Sequence, residues 1–250
     1  MVRVAERAVV ADLALEKYYL EDFTRYRFAC GFVSGKKVLD VACGSGYGSA
    51  LLFHEGGAAR VIGADASWEA LQAARRFRVP GHVTFTFGPA ERLPFCDGAF
   101  DAIVSMETLE HLQYPQAFLR ELGRLVCADG QAIISTPLNN SDTRLRPDNP
   151  HHRREYSADE FLGLLHGVFR QVEVFSQLSD YGHDPLWTPL EKVRGHSWAR
   201  QAVASCVPLA VRRGIRRATG SKGRHLAASR ILPGYNDQAA YQIAACSHGR

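Results

Sequence analysis

The stretch VLDVACGSGYGS, Val38 to Ser49, runs from an apolar segment into three alternating glycines, Gly44, Gly46 and Gly48. Glycine lets the backbone turn sharply and approach a ligand with no Cβ in the way. Between a strand and a helix, such a loop sets backbone N–H groups at a helix N-terminus, where a nucleotide rests. The dinucleotide fingerprint G-x-G-x-x-G needs a glycine at its sixth position. Counted from Gly44, that position is Ser49, so a nicotinamide dehydrogenase is disfavoured. Asp40 leads the loop. A carboxylate there repels a pyrophosphate and attracts a cationic group.

Outward from the loop, strand-like runs recur at about 36–42, 59–65, 82–88, 100–106 and 130–137. Helical patterns lie between them: YGSALLFHEGG, SWEALQAARRF and PQAFLRELGRLV. Val- and Ile-rich strands alternating with helices predict βαβ units and a parallel, doubly wound α/β sheet. After Pro137 the polar stretch NNSDTRLRPDNPHHRREY reads as a long loop. Ser157 and Glu160 then form a capping box for a helix over SADEFLGLLHGVF. FRQVEVFSQ reads as a sixth strand and AAYQIAACS as a seventh.

Asp65 ends the second strand, 21 residues past Gly44. An acid there accepts hydrogen bonds from ribose hydroxyls. Two acids and no phosphate-binding lysine suit a cationic nucleoside, and S-adenosylmethionine fits with its ribose, ammonium and sulfonium. The same residues resemble the class I S-adenosylmethionine-dependent methyltransferases, from about Arg25 to Phe175 and again at the last strand. VLDVACGSGYG is similar to the first motif of that family and VIGADAS to its second. FGPAERLPFCDGAFDAIVSMETLEHL resembles the adenine-side loop and fourth strand, and LVCADGQAIISTP the fifth. The resemblance implies a Rossmann-like sheet of seven strands, mostly parallel with an antiparallel last strand. It implies cofactor contacts at Asp40, Ala42, Gly44, Gly46, Asp65, Ala66, Ala90, Glu91 and Met106. Pro89 stands where the family often has the acid that meets the adenine amino group, which leaves backbone contacts at Ala90. Tyr26, in RYRFA, is expected either to close over the cofactor from an N-terminal helix or to pack in the core.

The fourth strand runs into Met106-Glu107-Thr108-Leu109-Glu110-His111. If a helix starts here, Glu107, Glu110 and His111 share one face. Two carboxylates and an imidazole are half a shell for a divalent ion such as Mg²⁺ or Mn²⁺. His151 or His152 in NPHHRREY offers a further donor. The E-x-x-E-H motif with a downstream histidine resembles ubiquinone-pathway O-methyltransferases and small-RNA 2′-O-methyltransferases. In the latter, such residues hold a divalent metal at the acceptor hydroxyl. NPHHRREYSADEF resembles an NPxHxREF-type segment of bacterial methyltransferases acting on sugars, polysaccharides and secondary metabolites, and that alignment selects His152. Three readings stay open: a metal site at Glu107, Glu110, His111 and His152; metal-free catalysis with His111 or His152 as base and Glu107 beside them; or acids that only favour a helix N-terminus.

The resemblance thus implies methyl transfer to a small-molecule hydroxyl, on a sugar or specialised metabolite. Amine methylation is the near alternative, and an RNA ribose acceptor a further one. A pocket retained for binding alone is a rival of another class.

The 250 residues have ordinary globular composition, with 46% hydrophobic and 22% charged. The N-terminus carries acids among its apolar residues and lacks a small-residue cleavage site, so a cytoplasmic protein is expected. Six scattered cysteines form no CxxC pair, which speaks against a disulfide framework or zinc-thiolate site. One domain is expected over 1–250: a helical cap at 1–35, a cofactor core at 36–179, a basic helical insert or lid at 180–238, and the last strand at 239–250. Between Pro185 and Arg230 lie 10 Lys and Arg against one acid, Glu191. That insert suits a lid or homodimer element, an anionic acceptor, or an anionic membrane surface. Nucleic acid is disfavoured, because no aromatic residue interleaves the cations from Arg200 to Arg224 and no nucleic-acid module accompanies them.

Overall fold

The computed structural model describes residues 13–75, 82–141, 149–180, 228–236 and 239–249, with side chains from residue 21 onward except at 179–180 and 228–230. Residues 181–227, most of the basic insert, lie outside the described residues, and so do the lid, dimer and surface roles expected of it. Five helices are described: α1 (Leu13–Cys30), α2 (Tyr47–His54), α3 (Trp68–Arg75), α4 (Pro115–Leu125) and α5 (Ala158–His166). The strands are β1 (Lys37–Val41), β2 (Arg60–Asp65), β3 (Val83–Phe87), β4 (Phe100–Ser105), β5 (Val126–Pro137), β6 (Gln171–Asp180), β7 (Ala228–Pro233) and β8 (Tyr241–Ser247).

All eight strands form one sheet in the order β3-β2-β1-β4-β5-β8-β6-β7. The first five are mutually parallel. β8 runs antiparallel between β5 and β6, and β7 pairs antiparallel with β6. The expected seven strands thus become eight. The extra strand, β7, comes from residues read as part of the basic helical insert. Ser176 ties it in, donating to the Gly234 carbonyl at 2.8 Å and accepting from the Asn236 amide at 2.9 Å.

The two-residue period of the strands splits the core into two layers. Leu39, Ile103, Ala132 and Ile134 face α4 and α5, against Phe118, Leu122, Phe161 and Leu165. Val38, Ala102, Val104 and Ile133 face α1 and α2, against Tyr26, Ala29, Leu51 and Leu52. The capping box forms as read, with Ser157 Oγ accepting from the Glu160 amide. Strand order reverses between β1 and β4. In open α/β sheets, ligands bind at the carboxyl ends of strands at such a switch point. The glycine loop leaves one of these strands and the Met106–His111 segment leaves the other.

Candidate active site

At the β1 end the backbone passes through three left-handed residues: Ala42 (φ 58°), Gly44 (φ 54°) and Gly46 (φ 78°). Gly46 has no room for a side chain, since a Cβ would meet the Phe85 ring at 2.7 Å. Asp65, at the end of β2, closes the loop from the side. Its carboxylate accepts from the Gly44 amide at 2.8 Å and the Ser67 amide at 2.7 Å. Donors from two sides fix this acid beside the glycines. Ala66 is exposed, while Ala90 and Glu91 are half-buried in the turn after β3. Met106 is buried against the α1 layer.

Asp40 is wholly buried. It accepts from Ser49 Oγ at 2.6 Å and Tyr26 Oη at 3.0 Å. Burial pushes its carboxyl up to about 7, against these two donors. Tyr26 takes the packing role. It is in the core of the α1 layer and also bonds the acid under the glycine loop. Its ring stands edge-on to Tyr47 at 5.4 Å.

Beyond β4, the expected helix does not form. Glu107 takes a left-handed φ of 53°, and only a 3₁₀ turn, Leu109–His111, follows. The three residues therefore do not share a helix face. Glu107 turns away and is held by Ser135, whose Oγ donates to it at 2.8 Å. Its other neighbour is the buried Arg25, 3.8 Å away. Arg25 also stacks on the Tyr241 ring at 4.1 Å and donates to Gln177 at 2.9 Å. Burial pushes Glu107 up, and Arg25 pulls against that.

Glu110, His111 and His152 do come together, with one donor atom of each within 4.8 Å of the others. Glu107 is not in this group. Glu110 is buried. Its Oε2 accepts from Thr136 Oγ1 at 3.1 Å, and its Oε1 has no hydrogen-bond donor among the described residues. The His111 Nε2 lies 3.7 Å from that open oxygen. Burial, with the Glu107 carboxylate adding to it, pushes Glu110 well above the usual carboxylate range.

The histidines arrive by a strap. Arg153 and Arg154 amides donate to the Glu110 carbonyl at 2.8 and 3.3 Å. This clamps residues 149–156 onto the 3₁₀ turn and sets the His111 and His152 rings 4.9 Å apart, edge to face. His111 Nδ1 lies 2.9 Å from the His151 carbonyl. A carbonyl only accepts, so Nδ1 carries the proton and Nε2 the lone pair. His152 Nδ1 lies 2.7 Å from Glu155 Oε1, and Asn149 Nδ2 donates to its Nε2 at 2.9 Å. The Asn149 orientation is fixed because its Oδ1 accepts from the His151 amide.

A family model described as "Methyltransferase domain" matches residues 39–134, which take in the glycine loop and the Glu107–His111 segment and stop short of the strap. Residues 39–134 thus carry a methyltransferase domain, similar to those of the class I S-adenosylmethionine-dependent methyltransferases. A Mycolicibacterium smegmatis protein named "Probable S-adenosylmethionine-dependent methyltransferase/" is 34% identical over 170 residues, 66% of this chain and 63% of its own length. A "Ubiquinone biosynthesis O-methyltransferase" of Photorhabdus laumondii is 37% identical over 112 residues, 42% of this chain and 45% of its own. The chain thus spans less than two thirds of these curated relatives. A chain from a Haloferax volcanii complex of the Trm112 methyltransferase activator with a methyltransferase superposes with a TM-score of 0.62 at 17% identity. That match covers 95% of this chain and 92% of the other, and it shows the shared methyltransferase fold.

Several residues of the site were not singled out by their sequence pattern. Ser135 and Thr136 orient the two glutamates from β5, and Arg25 reaches Glu107 from α1. Glu155 had a local signal, three residues after His152 in NPHHRREY. No described helix is long and apolar enough to cross a membrane.

Proposed function

We propose that this methyltransferase moves the methyl group of S-adenosylmethionine onto a hydroxyl oxygen of a small molecule. The glycine loop, Asp40 and Asp65 bind the donor. Glu110, His111 and His152 receive the acceptor. The single observation that carries the acceptor side is the open Glu110 Oε1. A buried carboxylate with an unfilled oxygen, facing imidazole nitrogen, calls for a cation.

Methyl transfer is an in-line displacement, so the acceptor oxygen must sit behind the methyl carbon and lose its proton. His111 Nε2 is the lone pair placed to take that proton. The resulting imidazolium would supply the positive charge that Glu110 lacks. The same three residues also fit a divalent ion, which would lower the hydroxyl pKa and orient it. With Glu107 outside the group, the donors are one oxygen and two nitrogens. Such a set suits Mn²⁺ better than Mg²⁺, which prefers oxygen. The 37% identity to a ubiquinone O-methyltransferase supports a hydroxyl acceptor, and a sugar or specialised metabolite is the class proposed.

The test is transfer of labelled methyl from S-adenosylmethionine to a panel of hydroxylated and amine compounds, with EDTA-treated enzyme and with Mn²⁺ restored. Labelled ethers that appear only with Mn²⁺ are expected. Full turnover after EDTA and desalting would remove the metal from the proposal. Labelled amines without ethers would overturn the oxygen acceptor.

A further inference from the structure

The strap carries one acid that the proposed chemistry leaves unused. Glu155 Oε1 lies 2.7 Å from His152 Nδ1, and its Oε2 accepts from Asn139 Nδ2 at 2.8 Å. Asn139 is itself anchored. Its amide donates to the Tyr156 carbonyl at 3.0 Å, beside the Leu138–Tyr156 bridge that joins the end of β5 to the strap. Its Oδ1 accepts from the Ser141 amide at 2.9 Å and Ser141 Oγ at 2.5 Å. The Glu155 carboxylate is therefore held from the sheet rather than by the loop alone, and both of its oxygens are used.

An ionised carboxylate only accepts. Glu155 therefore keeps the proton of His152 on Nδ1 and the lone pair on Nε2. A carboxylate behind an imidazole in this way fixes its tautomer and ring orientation and raises its strength as a ligand. His111 gets the same service from a backbone carbonyl. The two rings of the site are thus set by different means, and only that of His152 depends on side chains, Glu155 at Nδ1 and Asn149 at Nε2.

We infer that Glu155 is a positioning residue. Supported by Asn139, it fixes the His152 ring beside the Glu110–His111 group, with Nε2 as the accepting nitrogen that Asn149 caps until a ligand takes its place. The inference rests on the acceptor-site reading above, and the experiment separates the two. Long-range ¹⁵N–¹H spectra of the imidazoles, assigned with His152→Ala, report the His152 tautomer in the full chain. Calorimetric titration with Mn²⁺ reports the donor group, and binding of S-adenosylhomocysteine reports that the fold is intact.

Wild type is expected in the Nδ1–H form. Glu155→Gln keeps it, because the amide oxygen still accepts. With Asn149→Ala first removing the donor on Nε2, adding Glu155→Ala is expected to give a mixture of tautomers and to weaken Mn²⁺ about 10- to 100-fold, with S-adenosylhomocysteine affinity unchanged. A simple loop staple would leave the tautomer where it was. An unaltered Nδ1–H form in the Asn149→Ala, Glu155→Ala double variant overturns the inference, whatever the metal does. If wild type binds no Mn²⁺, the metal reading falls, and the tautomer alone decides Glu155. Should the double variant lose S-adenosylhomocysteine, Asn139→Ala added to Asn149→Ala carries the same test, with a smaller shift towards the mixture expected and none overturning it.

Discussion

The two ends of the cleft are built in opposite ways. At the donor end, the groups that hold the site are close neighbours along the chain or sit on adjacent strands. Asp65 is fixed by backbone amides, and Asp40 by a serine nine residues away. At the acceptor end the contacts that bring the glutamate and the histidines together join segments far apart in the chain. Glu110 meets β5 across 26 residues, and His111 meets the strap across 40. The donor end has its polar groups satisfied, whereas the acceptor end leaves the Glu110 Oε1 open. A single family of cofactor can be served by a fixed local loop. An acceptor site assembled from separate loops can change while the donor loop stays the same.

This contrast predicts a clean separation of effects. Glu110→Gln or His152→Ala should cut methyl transfer by about 10²–10⁴-fold, the range for removing a positioned acid or base. S-adenosylhomocysteine affinity, measured by calorimetry, should stay within about twofold for both, a margin well under the loss expected from one charged hydrogen bond. Asp65→Ala should do the reverse to binding, weakening the nucleoside by about 10- to 100-fold through lost charge-assisted hydrogen bonds. If Glu110→Gln abolishes nucleoside binding, the two ends are one site and the comparison breaks.

Packing at the donor end gives the next effect. A methyl added at Gly48 would lie 2.1 Å from the Tyr26 ring, which is pinned by Asp40 and Tyr47. Gly48→Ala should therefore destabilise the protein by about 1–3 kcal/mol from overpacking. That holds although alanine in a helix is worth about 1 kcal/mol over glycine. Gly163 in α5 has nothing within 4 Å of its would-be Cβ, so it isolates the propensity effect. Gly163→Ala should raise the thermal midpoint slightly, and Gly48→Ala should lower it by several degrees.

The same division explains what could be read in advance. The glycine loop, Asp65 and the alternation of strands with helices are local patterns, and β1 to β6 and β8 appear close to where the pattern places them. β7 was missed because its apolar residues, Ile231 and Leu232, sit beside Arg230 at the end of a basic run. Such a short edge strand has little periodic signal. The E-x-x-E-H spacing suggested a shared face only on the assumption of a helix. The left-handed turn at Glu107 breaks that assumption, and its cause is tertiary: Ser135 from β5 and Arg25 from α1 draw the carboxylate aside. His152 could be chosen over His151 by motif, but the pairing of Glu155 with Asn139 depends on how the strap lies against β5.

Asp40 gives a smaller effect with a definite sign. Its folded carboxyl titrates near 7, above its unfolded value. The folded state therefore holds a proton that the unfolded state has released, and stability falls as pH rises towards 7. A cationic nucleoside favours the ionised acid. Its affinity should rise with pH up to about 7, by at most about tenfold per unit, and binding below 7 should release a proton. Asp40→Asn should flatten both trends, with calorimetry in buffers of different ionisation enthalpy as the check. An unchanged pH dependence in Asp40→Asn would assign the titration to another group.

The smallest effect lies at Ala42, the one alanine among the left-handed residues of the loop. A Cβ in this region costs about 1–2 kcal/mol. Glycine would remove that strain but adds about 0.4–1 kcal/mol of unfolded-chain entropy. Ala42→Gly should thus change stability by less than about 1 kcal/mol, towards a more stable protein, with nucleoside affinity unaltered. Denaturant unfolding resolves a change of that size. A loss well beyond 2 kcal/mol would mean that the Ala42 methyl packs the β1 end. The donor loop would then depend on its side chains as the acceptor end does, and the difference between the two ends would narrow.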